Sequence, residues 1–329
     1  MAERPAALSE FELIARFFTH RTSNTALGVG DDAALLRVRA GAELAVSADM
    51  LVEGQHFFAG EDPVRLGHKS LAVNLSDMAA MGALPRWATL ALALPRVDMQ
   101  WLRGFARGFM ALARRFRVDL VGGDTTRGPL SICVQIMGEV PRGTALRRDG
   151  AKKGDDVWVS GELGAAAIAV AATKRLIHIG PRERKACEQR LHTPVPRVGL
   201  GVALRGVAHS AIDISDGLLA DLGHICERSR LSAVIEWEAI PANAIVRSLA
   251  QTDRGAQALL AGGDDYELCF TASPNRRSDV LRAARKARVA VTPIGRMRPR
   301  ARAMPLVEVL NPNGKPMRRA RRGYDHFGR

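Results

Sequence analysis

Six short acidic runs, each rich in glycine or small polar residues, recur along this chain of 329 residues. They occupy positions 28–32, 47–49, 74–77, 122–126, 213–217 and 262–267. The formal net charge is +14, so repeated acidic turns are hard to explain as ordinary solvent-exposed charge. Carboxylates on tight loops are a common way of holding Mg²⁺ against phosphate. The pattern therefore predicts a metal and phosphate site assembled from distant parts of the chain.

The runs are set in an alternation of β-like and helical stretches, which predicts an α/β fold. Helical spacing of apolar residues marks 10–19, 64–81 and 99–116, and β-like runs mark 44–47, 88–94, 120–121 and 131–137. A second pattern begins at 157–159 and includes β-like runs near 210–214, 267–271 and 289–294. Pro141-Arg142-Gly143 and the polar, turn-rich stretch after it separate the two patterns. We expect two domains, residues 1–143 and residues 144–329.

Composition narrows the class of protein. A hydrophobic content of 47% supports a packed core. The basic residues are mostly arginines spread along the chain, densest over 296–322, so we favour attraction of an anionic nucleotide over nucleic-acid binding. The four cysteines form no C-x-x-C pair, which fits reduced thiols. Neither a signal peptide nor an apolar run long enough to span a membrane is present, and we expect a cytoplasmic location.

The helix expected at 64–81 is apolar almost all round, yet it carries Asn74 and Asp77 on one face. A buried carboxylate persists only when it is paired, hydrogen-bonded or bound to metal. Two interpretations stay open for this pair. It is either a hydrogen-bonded pair in the core or a metal ligand that points into a cleft.

Two further runs have the composition of phosphate or metal loops. Gly122-Gly123-Asp124-Thr125-Thr126 follows an apolar β-like run, where ligands bind in α/β folds and glycines let the backbone approach phosphate. In the run 213–217, Asp216 could simply cap the next helix, whereas Asp213 lies in a β-like run that disfavours aspartate. The simpler alternative for the first run is an ordinary Gly-Asp turn.

Several familiar sites are excluded. The run 28–32 lacks the third glycine of a dinucleotide-binding loop, and the chain contains neither a G-x-x-x-x-G-K-[ST] loop nor the protein-kinase motifs. His56 stands alone beside apolar residues, and on its own it indicates a structural histidine. With many aspartates and no evident nucleophile, phosphoryl transfer is the reaction that fits best. Its candidate ligands are too many for one ion: Asp31, Asp32, Asp49, Asp77, Asp124, Asp213 and Asp216.

Taken together and in order, these runs resemble the thiamine-monophosphate kinases of the wider aminoimidazole ribonucleotide synthetase-like superfamily. The resemblance covers nearly the whole chain. It includes GVGDDAALL, SADMLVEGQHF, KSLAVNLSDMAAMGALP, LVGGDTTRGPL, ALRRDGAKKGD, AIDISDGLLADLGHI, GGDDYELCFT and GYDHF.

The resemblance implies a fold, a reaction and partners. It implies an N-terminal mixed-sheet domain that pairs in a homodimer and binds ATP and Mg²⁺. A C-terminal α/β domain then completes the nucleotide and substrate sites. The implied reaction is direct in-line transfer from ATP, as co-substrate, to thiamine monophosphate, with several Mg²⁺ ions and without a phosphoenzyme.

The resemblance also implies a role for individual residues. Asp124, Asp213 and Asp216 would act in catalysis through metal, and Gly123, Asp124, Arg148 and Ser215 would contact ATP. The substrate thiamine monophosphate would meet His56, Asp264 and Tyr324. The implied Mg²⁺ ligands are Asp32, Ser47, Asp49, Asp77, Asp124, Asp213 and Asp216.

Two positions depart from the family pattern. Ala48 stands where the family usually has threonine, so a hydroxyl ligand would be lost there unless the backbone oxygen serves. Asp264 stands where the family usually has glutamate, and its side chain is one methylene shorter, so it reaches less far toward thiamine. The alternatives to the leading function are a related ATP-dependent synthetase with another acceptor, or a basic nucleic-acid-binding protein.

Overall fold

The computed structural model describes residues 10–301 and 305–317. Within these ranges the chain forms two compact units. The N-terminal unit contains 10–78 and 84–141, and the C-terminal unit contains 79–83 and the described residues from 142 onwards. Helices and mixed sheets in both units confirm the predicted α/β class. The roles expected for residues 1–143 and 144–329 stay a prediction.

The N-terminal unit is built on a four-stranded mixed sheet with the order β3-β6-β4-β5. Strands β4 and β5 run parallel, and the other neighbours run antiparallel. The elements are α1 (Glu10–Phe17), β1 (Thr25–Leu27), β2 (Leu35–Leu36), β3 (Ala42–Val52), α2 (Pro63–Ala80), β4 (Leu84–Leu94), α3 (Met99–Phe116), β5 (Asp119–Arg127) and β6 (Ser131–Pro141).

Helices α2 and α3 pack in backbone contact because glycines line their crossing. A Cβ on Gly67 would lie 2.1 Å from the carbonyl oxygen of Phe105, and one on Gly108 would lie 1.9 Å from that of Val64. Only glycine permits such an approach. The close crossing buries the apolar face that the two helices share, including Leu66 and Phe105.

Two of the acidic runs lie inside strands, not on loops. The run 47–49 occupies the middle of β3, which pairs with β6 along all 11 of its residues. The run 122–126 belongs to β5, which continues to Arg127 beside β4. The expectation of tight turns at these two runs was wrong, because pairing along the whole strand outweighs the weak local preference of aspartate and serine for turns.

Strand β3 forms one edge of the sheet and presents an apolar stripe. Leu44, Val46 and Met50 alternate along it and are 43%, 51% and 58% exposed. Ala48 lies on the same face, because alternate strand residues share a face. The side chain of Ala48 therefore points away from the face that carries Ser47 and Asp49.

The C-terminal unit contains a six-stranded sheet with the order β12-β9-β11-β7-β10-β8, in which only the β12–β9 pair is parallel. Short 3-10 helices occur at Arg148–Gly150, Trp237–Ala239 and Pro274–Arg276. The strands are β7 (Asp156–Ser160), β8 (Ser210–Asp213), β9 (Leu231–Glu236), β10 (Leu268–Ala272), β11 (Val291–Pro299) and β12 (Val307–Leu310). The helices are α4 (Ala165–Thr173), α5 (Pro181–His192), α6 (Val198–Leu204), α7 (Leu218–Ser229), α8 (Ala244–Leu249), α9 (Asp253–Ala261) and α10 (Arg277–Ala287).

No helix in the described part of the chain has the length and apolar character needed to cross a membrane.

Candidate functional site

A cavity of about 690 Å³ in the N-terminal unit brings two of the acidic runs together. The loop between β1 and β2 contributes Asp31 and Asp32, and β5 contributes Gly122, Gly123 and Asp124. Asp124 is exposed to solvent. Carboxylates beside glycine backbone form a surface that suits a metal-bound phosphate.

Gly123 is required by the backbone of β5. Its φ is +151°, and a Cβ there would lie 1.8 Å from the carbonyl oxygen of Leu90 on the neighbouring strand β4. A side chain at this position would push the two strands apart. The glycine keeps this wall of the cavity as bare backbone, so a ligand could approach it closely.

A second set of predicted ligands meets where β3 faces α2. Ser47 Oγ donates a hydrogen bond to Asp77 Oδ2 at 2.5 Å, and the backbone N–H of Asp49 donates to Asn74 Oδ1 at 3.2 Å. Asn74 is fully buried and also donates through Nδ2 to the Ser70 carbonyl. Asn74 thus matches the core interpretation, whereas Asp77 keeps partial exposure beside Ser47.

The two sets of predicted ligands lie at opposite edges of the sheet. We call Asp32, Gly123 and Asp124 the β5-edge group, and Ser47, Asp49 and Asp77 the β3-edge group. The strand registers connect Asp49 with Gly123 through one residue each of β6 and β4. Three spacings of ~4.8 Å separate their backbones by roughly 14 Å. At this separation, Asp49 and Asp124 of one chain lie too far apart to bind the same ion.

His56 closes the turn that follows β3. Its Nδ1 accepts a hydrogen bond of 3.0 Å from the backbone N–H of Val52, and its carbonyl accepts one from Lys69 Nζ at 3.3 Å. An accepting Nδ1 fixes the ring orientation and leaves Nε2 to carry the proton in the neutral ring. The structural role expected from the sequence is present, and the substrate role stays a prediction.

In the C-terminal unit, Asp213, Ser215 and Asp216 lie where β8 leads into α7. Asp213 is the last residue of β8 and is 5% exposed. Ser215 and Asp216 follow it on a short loop and are partly exposed. An aspartate at the end of a buried strand agrees with ligand placement at the ends of strands in α/β folds.

Asp221, which the sequence did not single out, holds this loop from inside. It lies in the first turn of α7 and is 2% exposed. Its Oδ2 accepts the backbone N–H groups of Ser215, Asp216 and Gly217 at 3.0, 3.1 and 3.1 Å. Burial, followed by the charges of Asp213 and Asp216, raises the pKa of Asp221 to about 8, although the backbone hydrogen bonds act in the opposite direction. The sequence signal that could have identified Asp221 is an acidic residue in the first turn of an apolar helix.

The run 262–267 packs directly against that loop. The backbone N–H of Asp264 donates to the Ser215 carbonyl at 2.9 Å, and that of Tyr266 donates to the Ile214 carbonyl at 2.8 Å. Asp264 and Tyr266 both have positive φ, +67° and +49°. The Tyr266 hydroxyl donates to Asp264 Oδ1 at 3.2 Å, which fixes the carboxylate that replaces the usual glutamate.

Glu267 anchors the end of this run in the core. Its side chain is 3% exposed and forms a bidentate ion pair with Arg197, whose Nε lies 2.7 Å from Glu267 Oε2. Ser160 Oγ donates to the same oxygen at 2.5 Å. Asp265, two residues earlier in the chain, is also buried, and desolvation raises its pKa well above the usual range. Its carboxylate accepts a hydrogen bond from the backbone N–H of Gly164. The sequence offered no local signal for the Arg197 contact, since the two residues are far apart in the chain.

Arg148 begins a 3-10 helix and is exposed. Among the residues that the structure describes, its guanidinium makes no hydrogen bond or ion pair, while its neighbour Arg147 is paired with Asp149 at 2.6 Å. An exposed, unpaired guanidinium is suited to an anionic ligand.

Two sequence features lie outside the described residues: Tyr324, and the arginine cluster 318–322.

Protein groups alone do not complete a metal site in the described part of the chain. Within 10–301 and 305–317, no three His, Cys, Asp or Glu side chains are arranged to hold an ion. Mg²⁺ commonly takes only one or two carboxylates and completes its shell with water and substrate phosphates. The hard oxygen donors of the cavity therefore fit Mg²⁺ that arrives with a nucleotide.

Comparison with known proteins assigns the chain to a family. The AIR synthase related protein N-terminal domain model matches residues 30–140, and the corresponding C-terminal domain model matches 152–304. Thiamine-monophosphate kinase of Salmonella typhimurium is 42% identical over 98% of this chain and 99% of its own, and that of Bacillus subtilis is 33% identical over 97% and 100%.

Solved structures agree with the sequence comparison. The crystal structure of thiamine-monophosphate kinase from Stenotrophomonas maltophilia has a TM-score of 0.81 and 45% identity, and covers 89% of this chain and 92% of its own. A structure of AaThiL complexed with AMPPCP and TMP has a TM-score of 0.76 and 29% identity, covering 91% and 92%. The resemblance inferred from the motifs is confirmed, and the chain belongs to the thiamine-monophosphate kinase family.

Proposed function

We propose that this chain transfers the γ-phosphoryl group of ATP to thiamine monophosphate, giving thiamine diphosphate and ADP. The cavity that joins Asp32, Asp124 and the bare backbone of Gly123 carries the proposal. Its support from relatives is the AaThiL structure complexed with AMPPCP and TMP. In the transfer, the γ-phosphorus loses its bond to the oxygen that leaves with ADP and gains one to an oxygen of the acceptor phosphate.

In this reaction the protein groups would contact ATP, contact thiamine monophosphate and hold Mg²⁺. Gly123, Arg148 and Ser215 would contact ATP, and His56, Asp264 and Tyr324 would contact thiamine monophosphate. The acceptor phosphate is largely dianionic at neutral pH, since its second pKa is about 6, so no strong general base is needed. Direct in-line transfer then requires positioning and charge neutralisation without a phosphoenzyme.

When bound, Mg²⁺ would neutralise the charge that develops on the transferring phosphate oxygens. The proposed ligands are divided among three places in the chain. They are the β5-edge residues Asp32 and Asp124, the β3-edge residues Ser47, Asp49 and Asp77, and the C-terminal residues Asp213 and Asp216.

We further propose that the protein is a homodimer whose metal sites are shared between protomers. The exposed apolar stripe of Leu44, Val46 and Met50 on edge strand β3 supports pairing, since such strands are rarely left open to solvent. The roughly 14 Å across the sheet keeps the β3-edge and β5-edge groups of one chain apart. A two-fold dimer would bring the β3-edge group of one protomer to the β5-edge group of its partner.

The activity is tested by incubating the protein with ATP, Mg²⁺ and thiamine monophosphate. We expect stoichiometric thiamine diphosphate and ADP, measured by chromatography, and no product when Mg²⁺ is chelated. A panel with thiamine and with amide acceptors serves as the control for acceptor identity. Turnover only with another acceptor would favour a related synthetase and overturn the proposal.

The shared site is tested by mixing two inactive variants, Asp49→Asn and Asp124→Asn. Random reassociation makes half of the dimers mixed, and one of the two sites in each is intact, so about a quarter of wild-type activity returns. Mixing Asp49→Asn with Asp77→Asn is the matched control, because both changes lie in the same group and no site is restored. Recovery in neither mixture would place all the ligands of a site in one chain.

We also propose a cytoplasmic location. All four cysteines are unpaired, and three of them are buried. Free thiols fit a reducing compartment. Subcellular fractionation followed by immunodetection tests the location. We expect the protein in the cytoplasmic fraction, and detection in the periplasmic fraction would contradict the proposal.

A further inference from the structure

We infer that Asp221 is a positioning residue that fixes the conformation of two loops. One is the proposed metal-binding loop 213–217. The other is the run 262–267, which carries the proposed substrate residue Asp264 and is called the acceptor loop. The inference rests on the proposed function and extends it to a residue that does not touch either substrate. It begins with an unusual feature of the 213–217 loop, which turns three consecutive N–H groups inward onto one carboxylate oxygen.

Consecutive N–H groups that converge in this way form a concavity that binds anions, and many nucleotide-binding proteins fill it with phosphate. Here the Asp221 carboxylate, 2% exposed, already occupies it. The amides of Ser215, Asp216 and Gly217 are therefore not available to ATP. The loop can offer a ligand only its side chains, so Ser215 would contact ATP through Oγ, and Asp213 and Asp216 would bind metal through carboxylates.

The geometry of the loop depends on this internal hydrogen-bond acceptor. Gly217 has a φ of +118°, and a Cβ there would lie 2.7 Å from the carbonyl carbon of Ala261. The loop is thus pressed between Asp221 on one side and the end of α9 on the other. Removing the Asp221 side chain would leave three backbone N–H groups without their hydrogen-bond partner, which favours rearrangement of the loop.

The same loop supports the acceptor loop through its carbonyl groups. Ser215 O accepts from Asp264 N, Ile214 O accepts from Tyr266 N, and Glu267 O accepts from Ile214 N at 2.8 to 2.9 Å. A Cβ on Gly263 would meet Ser215 O at 2.3 Å, so the two backbones are in direct contact. A displacement of Ser215 therefore moves Asp264, and Asp221 controls both.

Three substitutions separate position from charge. Asp221→Asn keeps an acceptor oxygen in place and removes the ionisable group, Asp221→Glu keeps that group and moves it by one methylene, and Asp221→Ala removes the hydrogen-bond acceptor. Asp279→Ala is the matched control, since Asp279 also lies in the first turn of a helix, α10, but pairs with Arg276 and Arg282 and lies outside both loops.

The first measurement needs no activity: amide hydrogen exchange of the peptides that cover 213–221 and 262–268. We expect faster exchange in both peptides for Asp221→Ala and Asp221→Glu, and near wild-type exchange for Asp221→Asn and Asp279→Ala. If Asp221→Ala does not fold, Asp221→Glu takes its place. Faster exchange in 213–221 alone would overturn the coupling between the loops.

The second measurement is steady-state kinetics with varied Mg²⁺ and thiamine monophosphate. Asp221→Ala and Asp221→Glu should raise the Mg²⁺ activation constant and the KM for thiamine monophosphate by about tenfold or more, as for other residues that orient ligands. Asp221→Asn should stay within about threefold of wild type on that scale. Equal damage by Asn and Ala would show that the charge itself acts, and would overturn the inference. An inactive wild type with the expected exchange pattern would overturn the proposed function and leave the positioning role supported.

Discussion

Asp124 is an exposed carboxylate in the middle of strand β5. Aspartate is disfavoured in strands, so a functional reason for its presence is expected. A metal–phosphate ligand at this position gives a direct prediction. Asp124→Asn keeps the shape of the side chain but weakens metal binding, and turnover should fall by about 100-fold. Asp279→Asn is the control and should keep full activity, because Asp279 is partly exposed and pairs with Arg282 on α10 and with Arg276 just before it. Wild-type turnover by Asp124→Asn at limiting Mg²⁺ would exclude Asp124 as a ligand.

Arg197 and Glu267 give a prediction about stability. Their side chains are 14% and 3% exposed. Among the described residues, Arg197→Met would leave Ser160 as the one side-chain donor to the buried Glu267 carboxylate. Breaking such a pair costs about 3–5 kcal/mol of unfolding free energy. The control is Arg282→Met in the exposed pair with Asp279, which should cost less than about 1 kcal/mol. Chemical denaturation measures both, and equal small losses would contradict the prediction.

Among the helices, the crossing of α2 and α3 depends on glycine. Gly108→Ala would place a methyl group on the Val64 carbonyl, and overpacking of this kind costs about 1–3 kcal/mol or more. Gly199→Ala in α6 is the matched control, because nothing lies within 4 Å of its Cβ position and alanine favours the helix. Thermal unfolding should show a lower Tm for the first variant and an unchanged or higher Tm for the second. A stable Gly108→Ala protein would mean that the helices can separate at small cost.

Elements with strong local signals were predicted well. Helix α3 was expected at 99–116 and observed at Met99–Phe116, because Asp98 caps its first turn with two hydrogen bonds and Arg117 ends it in the left-handed region. Strand β3 was expected only at 44–47, and its other residues are held by pairing with β6, which the local sequence does not reveal. The same limit applies to the candidate site. The aspartates were recognised from their runs, but their division between two sheet edges and the role of Asp221 depend on tertiary contacts.

For the whole molecule, the proposed dimer predicts that a charge on the apolar stripe of β3 separates the protomers. Val46 is 51% exposed, so Val46→Glu should leave the fold intact, and activity should be lost because each site lacks its partner's ligands. Light scattering after size exclusion measures the mass, and circular dichroism checks the fold. Leu281→Glu, at a 42% exposed position on α10, is the control and should remain dimeric. A monomeric, fully active wild type would contradict both the dimer and the shared site.

In the proposed dimer, the open edge of β3 also affects a protomer before it meets its partner. A newly folded protomer has one open side on edge strand β3, whose exposed side chains include Leu44, Val46 and Met50. Such an edge is a template for pairing with strands of unrelated chains, and the risk of aggregation rises with the time spent alone. Slow synthesis at low copy number would prolong that interval, so the yield of active protein should depend on chaperone supply and on how quickly two copies meet.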